Sequence, residues 1–300
     1  MKWWNWLLGL FKVYEDNQIP EDFAINNDHM IPVERGNAVS RGFTSFTAHR
    51  AVGVTWHWTA TWDLKTCDRI LGGENPSRKG RASAHYGVGR SFEEGVNQYV
   101  SLDNRSWHAG AGQTLRWDGS KIVNSHYRGS RTSIGVEVVH IGFTRKGVPR
   151  KRGYYTVASQ NGRPLTVAPW PEEQIKLCIY IGKKIIERWP NIKPRDHHGH
   201  HDICPGRKVD VAGFPFARVL RGIYEDPDIP DVWSEFWSVE SRQKALIDLG
   251  YDLGSSGVDG DWGRMSDAAL EKFQEDHGLV PNGMWSTFVC WKIHDLKSNP

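Results

Sequence analysis

A chain of 300 residues with 39% hydrophobic and 24% charged residues is neither disordered nor fibrous, and its length suits one large domain joined to a smaller one. A net charge of +3 falls short of the basic stripe needed to neutralise a nucleic-acid backbone, so nucleic acid is set aside as a partner. Cys67, Cys178, Cys204 and Cys290 stand far apart with no CxxC pair and read as buried free thiols of a protein made in a reducing compartment.

The start, "MKWWNWLLGLFKVY", is apolar but interrupted by Asn5 and closed by Lys12. It is well short of the roughly 20 residues of a membrane span and lacks a signal-peptide cleavage site. Residues 1–44 are therefore expected to be a Trp-rich N-terminal extension, with packing on the protein body favoured over contact with a membrane surface. "AVGVTWHWTA" (51–60) is β-branched, apolar and alternating, and predicts a buried strand. The stretches 82–90, 95–102 and 132–143 predict strands for the same reason. Residues 62–73 predict a helix that closes on a Gly pair. "PEEQIKLCIYIGKKIIERWP" (171–190) carries Pro at its start, acids in its first turn, bases near its end and helical apolar spacing. Strands alternating with helices make an α/β domain.

"YEDPDIPDVW" (224–233) has the acidic, Pro-rich composition of an interdomain linker, set at 223–238. Two amphipathic segments follow, "SRQKALIDLGYD" and "MSDAALEKFQEDHGL", each trailed by a turn, "VDGDWG" or "PNGMWS". They look like two copies of one unit within a small helical domain, 239–300.

"GHHDICPGRKVD" (199–210) concentrates metal-binding side chains. A hydrolytic zinc site takes three ligands from His, Cys and carboxylate and keeps one position for water. His200 and Asp210 could supply two ligands and the strand residue His57 a third. Each alone has a plainer explanation, a hydrogen-bonded structural histidine or a solvated loop.

"WHWTA" with His57, "SAHYGV" (83–88), "SWHAG" (106–110), "SIGVEV" (133–138) and "GHHDICPGRKVD" occur in one order. Together they resemble the zinc-dependent N-acetylmuramoyl-L-alanine amidase family, related to peptidoglycan recognition proteins, over residues 45–222. The tail resembles the three-helix peptidoglycan-binding domain fused to such enzymes. The resemblance implies a mixed central sheet flanked by helices, plus a small three-helix C-terminal domain. It also implies one Zn2+ on His57, His200 and Asp210, with Glu137 as general base and Lys208 stabilising the oxyanion. Cys204 mimics the ligand of a second branch of the family. Asp210, however, is in register with the carboxylate branch, and Ala84 stands where the cysteine branch tends to carry a tyrosine.

Such a site suits amide hydrolysis, because zinc acidifies water and polarises a carbonyl. Glu137 lies among Ile134, Val136, Val138 and Val139, where a carboxylate needs a reason. His108 either contacts substrate or hydrogen-bonds under its loop. Trp107, Trp62 and Trp117 are candidates to stack on sugars, while His85 reads as structural and His197 and His198 as orienting the loop or facing solvent. The expected activity is cleavage of bacterial peptidoglycan between the lactyl group of N-acetylmuramic acid and L-alanine. A non-catalytic recognition protein and a zinc peptidase acting within the stem peptide are the alternatives. With no evident export signal, an endolysin-like protein is expected, made in the cytoplasm and released to the wall with the help of a holin.

Overall fold

The computed structural model describes residues 18–30, 43–44, 51–72, 82–110, 113–117, 122–145, 147–148 and 150–298, with 43–44, 113–117, 122–128 and 131 as backbone only. The Trp-rich start, read as an amphipathic segment, lies outside the described residues. Of the N-terminal extension, residues 18–30 lie along the edge of the fold. Asn26 donates its backbone N–H to Val96 O at 2.9 Å, and Phe23 meets Tyr180 edge-on at 5.5 Å.

In chain order the elements are β1 (Phe43–Thr44), β2 (Gly53–Trp58), α1 (Leu64–Leu71), β3 (Tyr86–Val88), β4 (Val96–Gln98) and β5 (Arg105–Ser106). Next come β6 (Gln113–Trp117), β7 (Ile122–Arg128), β8 (Ser133–Val138), β9 (Tyr155–Ala158) and β10 (Pro164–Val167). The remainder are α2 (Glu172–Arg188), β11 (His197–Gly199), α3 (His200–Ile203), α4 (Phe216–Tyr224), α5 (Val239–Asp248), α6 (Arg264–Asp276) and α7 (Thr287–Ser298). The central sheet runs β11-β2-β8-β3-β4, parallel except for the antiparallel edge strand β4. It is a mixed sheet flanked by helices, as the family resemblance implies.

Parallel strands are covered on both faces and need near-continuous apolar sequence. Every residue of β2 is buried, and in β8 only Glu137 is less than fully buried. Ile175, Leu177, Cys178, Ile179, Ile181 and Ile185 of α2 join Val54, Trp56, Ile134 and Val136 in the main core. Helix α1 starts where Asp63 accepts from Thr66 N at 2.7 Å. Of the Gly pair at its end, Gly72 has φ −77°, and a Cβ there would meet Asp68 O at 2.7 Å, while Gly73 lies outside the described residues. The short strand β11, the β6–β7 hairpin and helix α4 carried no strong local signal in sequence.

The stretch expected to be a linker packs firmly. Ile229, Val232 and Trp233 are buried, Trp233 stacks on Phe216 at 5.1 Å, and Arg221 Nε donates to Ile229 O at 2.8 Å. The main core continues through it to Leu246, Leu270, Phe273, Phe288 and Trp291 of the C-terminal helices and to Trp285 just before the last of them. No helix among the described residues is long and apolar enough to cross a membrane.

Candidate active site

Strand register assembles the site. β2 and β8 pair in parallel with His57 opposite Glu137, and β11 pairs with β2 so that Gly199 lies opposite Trp56. In-register residues of adjacent parallel strands share a face. The residue after Gly199 is His200, so the imidazole of His200, the imidazole of His57 and the carboxylate of Glu137 all sit near the carboxyl ends of three neighbouring strands. Ligand sites of open α/β sheets occur at those ends. Asp210 returns to the group from the following loop, its carbonyl accepting His201 N at 2.6 Å.

His57, His200 and Asp210 each offer one ligand atom, and all of these atoms lie within 4.8 Å of one another, buried. Asp210 Oδ2 is 2.9 Å from His200 Nδ1 and 3.5 Å from His57 Nδ1. Zinc bound tetrahedrally at about 2.0–2.1 Å keeps its ligands roughly 3.3 Å apart, so both the separations and the donor set fit that ion. Glu137 Oε1 is 3.9 Å from His57 Nδ1. Cys204 falls outside the group. Its thiol donates to Ala109 O at 3.4 Å and accepts from Arg207 Nη2 at 2.8 Å.

A hydrogen-bond chain aims His57. Nε2 of His108 is 3.2 Å from Ser133 O, a carbonyl that can only accept, so this nitrogen carries the proton. Burial, followed by the imidazoles of His57, His85 and His200, holds His108 well below the ordinary histidine range and hence neutral. Its Nδ1 therefore accepts from His57 Nε2–H at 2.9 Å. This leaves the His57 Nδ1 lone pair for the ligand position. The His108 ring lies flat against Gly135, where a Cβ would come within 2.3 Å of it. The "SWHAG" and "SIGVE" stretches thus form one support, and both ring nitrogens of His108 are engaged within the protein.

The electrostatics separate the two carboxylates. Burial, reinforced by the charge of Asp210, pushes the Glu137 carboxyl up to about 8, against the pull of His200 and Lys208. Burial also opposes ionisation of Asp210, but hydrogen bonds from His200 and His57 outweigh it and hold this carboxyl well below its usual range. His200 stays up at about 9 although burial acts to lower it, because its bonds to Asp210 and Cys204 prevail. His57 is brought down to about 3 by burial and by its neighbour His200.

Lys208 is half-buried on the same loop, its N–H donating to Cys204 O at 3.1 Å, and its charge reaches both His57 and Glu137. It lines a cavity of about 170 Å³ together with Phe143, Arg163 and Met284. Trp62 is 46% exposed and carries Lys151 Nζ 5.7 Å from its ring centroid. Trp107 is half-buried beside His108, its N–H donating to Ser83 Oγ at 2.9 Å. The side chain of Trp117 lies outside the described residues. His197 and His198 do not face solvent: both are buried on the edge strand β11, His197 accepting from Trp56 Nε1 at 3.2 Å and His198 bonded to Thr55 Oγ1 at 2.9 Å. His85 accepts from Gly135 N at 3.0 Å. Two supporting residues escaped sequence reasoning, Ser133 and Asp202. Both stand inside the quoted motifs, but only the fold shows what they touch.

Fold and site together describe an α/β protein with a His–His–Asp group able to hold a metal ion beside a strand glutamate. Residues 47–212 match the N-acetylmuramoyl-L-alanine amidase family, and the chain belongs to that family. Residues 238–288 match a putative peptidoglycan binding domain. The 1,6-anhydro-N-acetylmuramyl-L-alanine amidase AmpD of Escherichia coli (strain K12) is 29% identical over 139 residues, 46% of this chain; the match spans 56% of that curated relative's length. Among solved structures, AmiD of E. coli, an N-acetylmuramyl-L-alanine amidase in complex with an anhydro-N-acetylmuramic acid peptide, has a TM-score of 0.47 and 20% identity, covering 91% of this chain and 98% of its own. AmpDh3 of Pseudomonas aeruginosa has a TM-score of 0.44 and 19% identity, with 90% and 98% covered. A mutant endolysin from Bacillus subtilis has a TM-score of 0.39 and 19% identity, with 67% and 99% covered.

Proposed function

We propose that this chain hydrolyses the amide between the lactyl group of N-acetylmuramic acid and the L-alanine of the stem peptide in bacterial peptidoglycan. The observation that carries the reading is the register pairing of His57 with Glu137 beside His200 and Asp210, in a chain that belongs to this amidase family. His57, His200 and Asp210 would hold one Zn2+, which when bound brings the pKa of water toward about 7 and polarises the scissile carbonyl. Glu137 accepts the proton of the attacking water and passes it to the leaving amine. Lys208 places its ammonium against the oxyanion of the tetrahedral intermediate, where one such donor contributes on the order of 3 kcal/mol. His108 acts behind His57, since neither ring nitrogen is left for a substrate. Trp62, Trp107 and Trp117 are assigned to contacts with sugar and peptide. The C-terminal domain holds the protein on the wall, which in an endolysin-like setting is reached with the help of a holin.

Digestion of purified peptidoglycan, read by mass spectrometry, tests the reaction. Glycan strands freed of intact stem peptides and new L-alanine amino termini are expected, without new reducing ends. Glu137→Gln should fall by about 10²–10⁴-fold. New reducing ends, or cuts within the stem peptide, would refute the assignment.

A further inference from the structure

The loop that carries His200 and Asp210 is gripped from the C-terminal domain. Asp202, in α3 between those two residues, is 2% exposed. Its carboxylate accepts from Gly199 N at 2.8 Å at the start of its own helix. It also accepts from Thr287 N at 2.9 Å and Thr287 Oγ1 at 2.8 Å, at the start of α7 in the other domain. The first N–H groups of a helix have no partner within it, and its N-terminus favours negative charge. One buried carboxylate therefore caps two helices, one from each domain. Its remaining neighbour is His201, with Nε2 at 3.4 Å.

A second strut runs parallel to the first. Gln160, in the turn between β9 and β10, donates Nε2 to His201 O at 3.0 Å and accepts Gly206 N on Oε1 at 3.4 Å. Its own carbonyl accepts from Trp285 N at 2.9 Å. The turn is pinned in place by Arg242 of α5, buried, which donates Nη2 to Ala158 O at 2.8 Å. Both struts join the segment 285–287 to the loop 199–210, and Asp202, Gln160, Trp285 and Thr287 are all buried.

We propose that the C-terminal domain is a structural part of the catalytic centre, with Thr287 as a positioning residue that, through Asp202, fixes the loop presenting His200 and Asp210. The proposal adopts the metal-ligand reading given above and adds a second role to a domain whose family match points only to wall binding. Thr287 touches neither ligand; it acts through Asp202. The domain is thereby needed even for a substrate too small to reach it.

The test compares full-length wild type, Thr287→Val, Thr287→Ser and Gln160→Leu. Three quantities are measured: amide hydrogen exchange over residues 199–210, affinity for Zn2+ by competition with a chromophoric chelator, and binding to purified peptidoglycan. Thr287→Val removes one hydrogen bond to a buried carboxylate, so exchange in the loop should rise roughly tenfold and Zn2+ should bind roughly tenfold more weakly, as when outer-shell partners of metal ligands are lost. Thr287→Ser should restore both, and binding to peptidoglycan should be unchanged throughout. Gln160→Leu, which leaves Asp202 untouched, should act in the same direction. On a soluble muramoyl peptide, kcat should follow the Zn2+ affinity. Loop exchange and Zn2+ affinity within twofold of wild type in both Thr287→Val and Gln160→Leu would overturn the proposal. Neither readout needs turnover, so a failure of the amidase assignment would show separately, as absence of product from the wild type.

Discussion

Gly135→Ala is the sharpest test of how His57 is aimed. A Cβ on residue 135 would stand 2.3, 2.6 and 2.7 Å from Cγ, Cδ2 and Cβ of His108. Ordinary carbon contact begins near 3.5 Å, so the ring must retreat by about 1.2 Å. The 2.9 Å bond from His57 Nε2 to His108 Nδ1 does not survive that movement. The lost bond costs about 1 kcal/mol and the overpacking about 1–3 kcal/mol, so unfolding by urea should show a loss of roughly 2–4 kcal/mol. Freed from its partner, the His57 ring no longer holds its proton on Nε2, and Zn2+ should bind about 10–100-fold more weakly. The double variant Gly135→Ala/His108→Ala separates the effects: it removes the contacts of 2.3 and 2.6 Å and keeps the one of 2.7 Å to Cβ, so it should regain part of the stability without regaining Zn2+ affinity. A Gly135→Ala protein with wild-type unfolding midpoint and Zn2+ affinity would refute the packing of His108 against Gly135 and the proton assignment built on it.

Removing zinc with a chelator should lower the unfolding midpoint, because an ion at 1,000 times its Kd stabilises the folded state by about 4.1 kcal/mol; Asp210→Asn should abolish most of that difference. His140 stacks on Trp170 at 3.9 Å, and burial brings it down to about 4. Between pH 6.5 and 4 the unfolded chain binds a proton at this site that the folded one refuses, so stability falls with pH there, by at most about 1.4 kcal/mol per unit; in His140→Phe the denaturation profile should be flatter across that window. Arg195 grips Asp295 with two bonds of 2.7 and 2.6 Å, yet the two side chains are 30% and 28% exposed. Solvent screening should keep the cost of Arg195→Met below about 1 kcal/mol in chemical denaturation.

The candidate site was legible through its ordered motifs rather than residue by residue. Taken alone, His57 on a buried strand has a plainer explanation as a structural histidine, whereas a carboxylate at 137 among valines asks for a reason. Hydrophobic patterning likewise exposed β2, β8 and α2, whose burial is nearly continuous or helically spaced. Pairwise geometry was not legible. Nothing local says that residue 57 stands opposite residue 137, because register belongs to the sheet as a whole. His108 was ambiguous for the same reason, since its partners Ser133 and His57 lie 25 and 51 residues away in sequence. The three residues of β11 are too few for a period to show, and their histidines resemble a solvated loop until Trp56 and Thr55 are placed beside them. The connecting segment misleads in the opposite way. Its acids and prolines speak for solvent, whereas Ile229, Val232 and Trp233, spread among them, anchor it in the core. Average composition is blind to three well-spaced apolar side chains.

A module tied through Asp202 and Gln160 is held by more than its connecting segment. On the proposed function, the reach from a wall-binding surface to the catalytic centre would then be fixed, closer to a pair of compasses than to a hook on a line. Replacing the last sixty or so residues with a foreign cell-wall anchor would then exchange the proposed wall contact and withdraw the props beneath the loop 199–210 in the same stroke. Chimeras of this kind should be expected to work only where the incoming module brings its own counterparts of Thr287 and Trp285.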